Sequence, residues 1–359
     1  MMLAQPIDES ALTKLDPAAF CAEWKFCSVE HKRALFAKLK EILYATVDEL
    51  AAAKVQPQGG AGIPPLIEGV IDYYVGKLDD PAGKLIEHGD QQTNYVYREP
   101  LGVVAIFVPF NGPMLGALLA AVPALVAGNT IVVKAPDQEA PQALKTMQVF
   151  HEAGFPPGVV NALSGKGPEV GQALVAHPAT RLISFTGSTA TGKKIMAAAA
   201  EDLKRVQLNL GSKTAQIVFP DADLEAAATA TVGSAFPGQA CSAISRVLLH
   251  ESLRDEFIAL LKDKVRAAEP SMLIDRAAVE RVEHYVDIGK AQGSLLFGGA
   301  RPMGEEYGKG CYFEPTAIAF ADQSSPVCRD EIFGPVVSVL TFDSDDEALA
   351  LANDTDYGL

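Results

Sequence analysis

The chain has 359 residues, 48% of them hydrophobic, and 45 acidic against 30 basic side chains give it a net charge of -15. This length is typical of two domains, and the apolar fraction excludes a disordered or collagen-like chain. The negative charge opposes binding to nucleic acid or to an anionic membrane, and no apolar run reaches the ~20 residues of a membrane span. We therefore expect a small-molecule partner, no nucleic acid and no membrane.

The chain opens with helix-like patterns. Apolar residues recur at helical spacing from Asp16 to about Ala53, which predicts two or three surface helices, and the glycine- and proline-rich Val55–Pro65 predicts a loop. Asn94–Arg98 alternates like a strand after a turn-prone segment, which predicts a hairpin over residues 88–99.

Short β-branched runs then alternate with helical segments. The predicted strands are Gly102–Pro109, Asn129–Pro136, Val159–Gly165 and Arg181–Gly187. Apolar strands separated by crossover helices form a parallel sheet covered on both faces, and such sheets bind nucleotides at the carboxyl ends of their strands. A second α/β series, including a helix over Leu224–Ala235 and a strand over Arg246–His250, starts near residue 212.

Two glycine loops follow predicted strands, one at Gly165 and one at Gly187-Ser188. Backbone N–H groups at such turns can hold phosphate. The second loop resembles a P-loop, but Lys194 stands where a P-loop needs Ser or Thr, which argues against an NTPase. Each loop taken singly is equally compatible with an ordinary turn.

The cysteines are odd in number and scattered, and they lack CxxC spacing. They are Cys21, Cys27, Cys241, Cys311 and Cys328. With an acidic N-terminus that has no signal-like apolar core, this pattern predicts a reducing, cytoplasmic location, no disulfide framework and no bound metal. A free cysteine is most often buried and inert.

Cys241 is the exception, because its segment GQACSAISR resembles the nucleophile motif of NAD(P)-dependent aldehyde dehydrogenases. Further motifs of that family occur in family order over nearly the whole chain. They are REPLGVVAIFVPFNGP at 98–113, VVKAPD at 132–137, AGFPPGVVNALSG at 153–165, FTGSTATGKKI at 185–195, YFEPT at 312–316, DEIFGPV at 330–336 and ALANDTDYGL at 350–359.

The resemblance implies an α/β, aldehyde-dehydrogenase-like fold with three parts. A Rossmann-type, parallel-sheet NAD(P)-binding domain would cover residues 1–87 and 100–211, an oligomerisation hairpin residues 88–99, and an α/β catalytic domain residues 212–359. A homodimer or homotetramer is expected for the full-length protein. Because the chain ends at Leu359, within a motif after which family members continue, we expect it to be a fragment.

The resemblance also implies catalytic roles. Cys241 would attack an aldehyde as the thiolate and carry a thiohemiacetal and then a thioester, and Asn111 would donate to the developing oxyanion. Phe110, Met114 and Phe236 would either form an apolar aldehyde pocket or pack in a core.

The cofactor implied is NAD. Lys134 and Asp137 would face the adenosine ribose, Ser188 the pyrophosphate, and Glu331 and Phe333 the nicotinamide end. The remaining cofactor positions are Val108, Pro109, Gly165 and Gly187. An acid beside the ribose favours NAD because it repels a 2′-phosphate, but Asp137 is shorter than the family's glutamate, so NADP stays open.

Asn209 departs from the family pattern. It occupies the place of the glutamate that activates water in Leu-Glu-Leu-Gly-Gly-Lys, which reads LNLGSK at 208–213. A carboxamide accepts no proton at neutral pH, and loss of a general base typically costs about 10²–10⁴-fold. Three hypotheses follow: hydrolysis with another base, transfer of the acyl group to coenzyme A as in acylating semialdehyde dehydrogenases, or a catalytically impaired NAD-binding homologue.

Overall fold

The computed structural model describes residues 24–53, 63–80, 83–89 and 92–359, and it divides the chain into two compact units, Met1–Asn209 and Leu210–Leu359. The acidic N-terminus, Cys21 and the part of the predicted loop that precedes Ile63 lie outside the described residues. Ile63 begins a helix, so the loop prediction is wrong for its last three residues. Proline is tolerated there because the first-turn N–H groups have no helical partner.

Helices α1 (Val29–Ala45), α2 (Val47–Ala52) and α3 (Ile63–Gly76) precede the strands in the described part of the first unit. Ser28 caps α1 by accepting from the backbone N–H of His31 at 3.2 Å. The helix buries Leu35, Phe36, Leu39 and Leu43, whose spacing of three and four residues places them on one face.

An antiparallel hairpin follows, consisting of β1 (Gly83–Glu87) and β2 (Thr93–Tyr97), with Gly83 opposite Tyr97. Its first strand precedes residue 88, where the predicted hairpin begins. Every described residue of both strands is exposed.

A five-stranded parallel sheet forms the centre of this unit. Its strands are β3 (Val103–Phe107), β4 (Thr130–Lys134), β5 (Val160–Leu163), β6 (Thr180–Thr186) and β7 (Arg205–Asn209), and their spatial order is β5–β4–β3–β6–β7. The helices around it are α4 (Pro113–Val126), α5 (Ala140–Glu152), α6 (Gln172–Ala176) and α7 (Thr189–Ala200). Strands β4 and β5 lie on one side of β3, and strands β6 and β7 lie on the other side, so the strand order reverses between β3 and β6. Doubly wound sheets bind their ligands at such a switch point.

The second unit contains a mixed sheet and a short ribbon. The sheet strands are β8 (Ala215–Val218), β9 (Arg246–His250), β11 (Ser294–Phe297), β13 (Thr316–Ala319) and β14 (Val336–Phe342), and the ribbon pairs β10 (Ser271–Met272) with β12 (Tyr312–Phe313). The sheet order is β11–β13–β14–β9–β8, parallel except for the edge strand β11. The helices are α8 (Leu224–Ala235), α9 (Arg254–Val265), α10 (Arg276–Gln292), α11 (Pro326–Arg329) and α12 (Asp345–Asn353).

Among the described residues, no helix has the length and apolar character needed to cross a membrane. In the same part of the chain, no three His, Cys, Asp or Glu side chains gather as a metal site requires.

Candidate active site

A cleft of about 560 Å³ lies in the first unit, at the carboxyl ends of β3, β4 and β6. Its lining combines apolar walls with two lysines. The lining residues are Phe107, Val108, Lys134, Gly167, Pro168, Gly171, Gln172, Val175, Phe185, Thr186, Thr191, Lys194, Ile195 and Ala198. Its volume is in the range of small-molecule and cofactor pockets, and it stands at the switch point of the sheet.

Lys134 is the buried cation of this cleft. Its side chain is 9% exposed, and its Nζ donates to Oδ1 of Asp137 at 2.5 Å, while the Asp137 side chain is 39% exposed. The exposed part of the carboxylate can accept from a sugar hydroxyl, and the ammonium neutralises part of its charge. The pair therefore repels a 2′-phosphate less than an isolated acid would.

The glycine loop at Gly187 leads into α7 beside the cleft. Ser188 is the N-cap residue, and its Oγ accepts from the N–H of Thr191 at 3.3 Å. A Cβ on Gly187 would stand 2.6 Å from the Phe185 ring, so any larger residue at this turn would require the ring to move. The loop thus presents the N-terminus of a 12-residue helix, which favours an anionic group.

The other predicted residues of this unit lie on the loops and strand ends around the sheet. Val108 donates its N–H to the Lys134 carbonyl at 3.3 Å, and Pro109 and Asn111 follow it in the loop between β3 and α4. Gly165 follows β5 with φ +145, a backbone conformation that side chains rarely adopt. Asn209 is the exposed last residue of β7, and its carbonyl accepts from Gly187 N–H at 3.1 Å.

Cys241 lies in the second unit, half-buried in the loop between α8 and β9. The Ser212 hydroxyl donates to the Cys241 carbonyl oxygen, and the Thr214 hydroxyl donates to the Ser212 oxygen at 3.3 Å. Gly238, in the same loop, has φ +78, and a Cβ there would stand 2.6 Å from the backbone nitrogen of Pro335. The loop is therefore fitted closely to the segment that precedes β14.

Glu331 approaches this loop from that segment. Its Oε1 accepts from the Ser212 backbone N–H at 3.1 Å, and glycine at 211 leaves room for the carboxylate. Burial raises the pKa of the Glu331 carboxyl, although the Ser212 N–H opposes this effect. Glu331 and Phe333 also line a small cavity of about 20 Å³ together with Ser212.

The backbone around Glu331 is held from several sides. Arg281 donates from Nε to the Ile332 carbonyl at 2.9 Å, and the Glu331 N–H donates to the hydroxyl of Tyr357 at 3.3 Å. Phe333 has φ +54, which is uncommon for a residue with a side chain and marks a strained turn. These contacts fix the backbone position of Glu331.

Lys213 lies under the same segment. The residue is 2% exposed, and its Nζ donates to the Asp330 carbonyl at 2.7 Å. Burial lowers its pKa from 10.5 to about 8. Lys213 therefore holds the loop that precedes β14.

The structure thus brings predicted residues together within each unit. Val108 and Lys134 line the cleft with Asp137 paired to Lys134, and Cys241 is linked to Glu331 through Ser212. Sequence reasoning missed Ser212, although its place in LNLGSK, where the family pattern has glycine, was a usable signal. Met114 and Phe236 are 1% and 3% exposed and belong to hydrophobic cores, so core packing is their role.

Comparison with known proteins gives one consistent result. A sequence model described as the aldehyde dehydrogenase family matches residues 10–359. The hydroxyisobutyraldehyde dehydrogenase of Mycolicibacterium austroafricanum is 35% identical over 359 residues, which are 95% of this chain and 71% of that protein. The betaine aldehyde dehydrogenase of Bacillus subtilis is 36% identical over 357 residues, 94% of this chain and 73% of that protein.

A crystal structure agrees with these sequence matches. Betaine aldehyde dehydrogenase from Staphylococcus aureus in complex with NAD+ superimposes with a TM-score of 0.91 at 32% identity, covering 96% of this chain and 72% of that one.

Proposed function

Because the chain belongs to the aldehyde dehydrogenase family, we propose that it oxidises a small-molecule aldehyde with NAD+ through a thioester on Cys241. The observation that carries this proposal is the environment of Cys241. The cysteine is half-buried, small residues precede and follow it in the sequence, and its carbonyl oxygen accepts a hydrogen bond from the Ser212 hydroxyl. Small neighbours would leave space for a carbonyl compound beside the sulfur.

The first step forms a carbon–sulfur bond. The Cys241 thiolate adds to the aldehyde carbon, and the carbonyl oxygen becomes an oxyanion that the Asn111 side-chain N–H and the Cys241 backbone N–H would stabilise. Loss of hydride from this carbon leaves a thioester. Cleavage of the thioester by water then gives a carboxylic acid and returns the thiolate.

NAD+ supplies the hydride acceptor when bound. The cleft fits such a ligand by its volume, its place at the switch point and the helix N-terminus at Ser188. We propose that Lys134 and Asp137 hold the adenosine ribose and that Ser188 lies at the pyrophosphate. Val108, Pro109, Gly165 and Gly187 would shape the backbone around it, and Glu331 with Phe333 would hold the nicotinamide end.

Deacylation is the step that Asn209 puts in question. The carboxamide has no proton-accepting form at neutral pH, so water would attack the thioester without that base. Asn209 therefore favours a second candidate in which the thiol of coenzyme A displaces Cys241 and carries the acyl group away. A catalytically impaired NAD-binding homologue is the third candidate.

A burst assay separates these outcomes. The wild type should form about one NADH per active site and then turn over slowly, and Cys241→Ala should form none. Acceleration by coenzyme A would select the acylating reaction. An absent burst with intact NAD+ binding would support the impaired homologue, and an unchanged burst in Cys241→Ala would refute the proposed nucleophile.

The substrates for which the relatives are named define the first panel. Two of the relatives are named for betaine aldehyde and hydroxyisobutyraldehyde, and both compounds are small aldehydes with a substituent near the carbonyl. We propose an aldehyde of that size for this chain. A panel that adds aromatic and dicarboxylic semialdehydes, ranked by kcat/KM, tests the choice.

Assembly and location are further parts of the proposal. The hairpin exposes large apolar residues on both strands, at Leu85, Ile86, Tyr95, Val96 and Tyr97. A patch of this kind supports self-association into a homodimer or homotetramer through the hairpin. The described cysteines are free thiols, which supports a reducing, cytoplasmic compartment.

A further inference from the structure

Ser212 touches both the nucleophile loop and the acid proposed for the nicotinamide end. Its backbone N–H donates to Glu331 Oε1 at 3.1 Å, and its hydroxyl donates to the carbonyl of Cys241. The residue is 5% exposed, so water competes little for either bond. Only the second bond needs a side chain.

We propose that Ser212 is a positioning residue for Cys241, a role that rests on the proposed function. The loop that carries the cysteine is neither helix nor strand from Pro237 to Ser245, so it has no continuous ladder of backbone bonds. Near its two ends it is held by the Gln239 side chain, which accepts from the Ile274 N–H at 2.9 Å, and by the Ser245 N–H, which donates to the Thr214 carbonyl at 3.1 Å. The Ser212 hydroxyl supplies a fixed point at the cysteine itself. It thereby holds the direction from which the sulfur meets the aldehyde carbon.

Attack geometry determines what this hydrogen bond contributes. A nucleophile held in a near-attack position gains rate because its orientation is already fixed by folding, and a displacement of about 1 Å can cost on the order of 10²-fold. A loop that has lost this hydrogen bond spends less time in the near-attack position. Loss of the Ser212 hydroxyl therefore slows the chemical step. It leaves the affinity for the cofactor unchanged, because the hydrogen bond to Glu331 comes from the Ser212 backbone N–H.

The test is Ser212→Ala with a matched control. Ser338→Ala is suitable because the Ser338 hydroxyl also donates to a backbone carbonyl, that of Ser245, at 3.3 Å. We expect the rate of the NADH burst to fall about 10-fold in Ser212→Ala, with the Kd for NAD+ within about two-fold of wild type. Ser212→Thr, which keeps the hydroxyl, should recover most of the rate, and Ser338→Ala should stay near wild type.

A second measurement does not depend on activity. Deuterium exchange of the peptide covering 237–245 should be about five-fold faster in Ser212→Ala, because this substitution frees the Cys241 carbonyl. It should be unchanged in Ser338→Ala, because the Ser245 carbonyl in the same peptide keeps its bond from the Ser338 backbone N–H at 3.0 Å. A wild type without a burst would refute the proposed function, and the exchange result would still decide the role of Ser212. Unchanged exchange, or equal burst losses in the two alanine variants, would overturn the positioning role.

Discussion

Replacing Gly211 by alanine tests how closely Glu331 must approach the nucleophile loop. A Cβ at this position would stand 2.8 Å from the Glu331 Cδ and 3.1 Å from its Oε1. Ordinary carbon contacts are about 3.5–4.0 Å, so the carboxyl group must retreat by roughly 1 Å. Its bond to the Ser212 N–H, now 3.1 Å, would stretch beyond hydrogen-bond length.

The magnitude follows from that lost bond. A hydrogen bond to a charged group is worth about 1.5–3 kcal/mol, and partial exposure of Glu331 lowers the figure to about 1–2 kcal/mol. If the carboxylate holds the nicotinamide ribose, displacement should weaken NAD+ binding by roughly 5- to 30-fold.

Isothermal titration with NAD+ measures this change directly. Gly233→Ala is the matched control, because Gly233 lies in α8 of the same unit and a Cβ there meets no atom within 4 Å. The control should bind like wild type and gain slightly in stability from its higher helix propensity. A Gly211→Ala protein that binds NAD+ within about two-fold of wild type would refute the role given to Glu331.

Two further predictions concern Asn209 and Lys213. Asn209→Glu should raise steady-state turnover at least about 10-fold without enlarging the NADH burst, and an unchanged rate would show that deacylation was not limiting. Burial places the pKa of Lys213 at about 8 in the folded protein, below its ordinary 10.5, so the unfolded chain binds more protons between these values and the free energy of unfolding rises with pH. In urea titrations from about pH 7.5 to about pH 9.5, wild-type stability minus that of Lys213→Met should increase, and a constant difference would contradict the buried charge.

Local patterns determined much of the fold. β3 was predictable because Val103–Phe107 is apolar throughout and buried at every position. The helix predicted from Leu224 to about Ala235 spans Leu224–Ala235 in the structure, and Asp223 caps it by accepting from the Ala226 N–H at 3.0 Å. The family motifs around Cys241 were likewise sufficient to identify the protein class, because they are contiguous stretches of chain.

Other features escaped because they depend on neighbours. β7 alternates in exposure at the edge of the sheet, so Arg205–Asn209 lacks the continuous apolar run that marks a central strand. β11 runs antiparallel to β13. The residues of β11 do not encode this direction, because it depends on how the strand pairs with the edge of the sheet.

The sequence alone determined which residues are chemically able to act, because a thiol, a carboxylate or a carboxamide carries its chemistry wherever the chain places it. Tertiary structure alone decided which of them meet. Ser212 and Glu331 are 119 positions apart, and only folding joins the backbone N–H of one to the carboxylate of the other. The pKa shifts of Glu331 and Lys213 belong to the same category, since burial is a property of the packed chain.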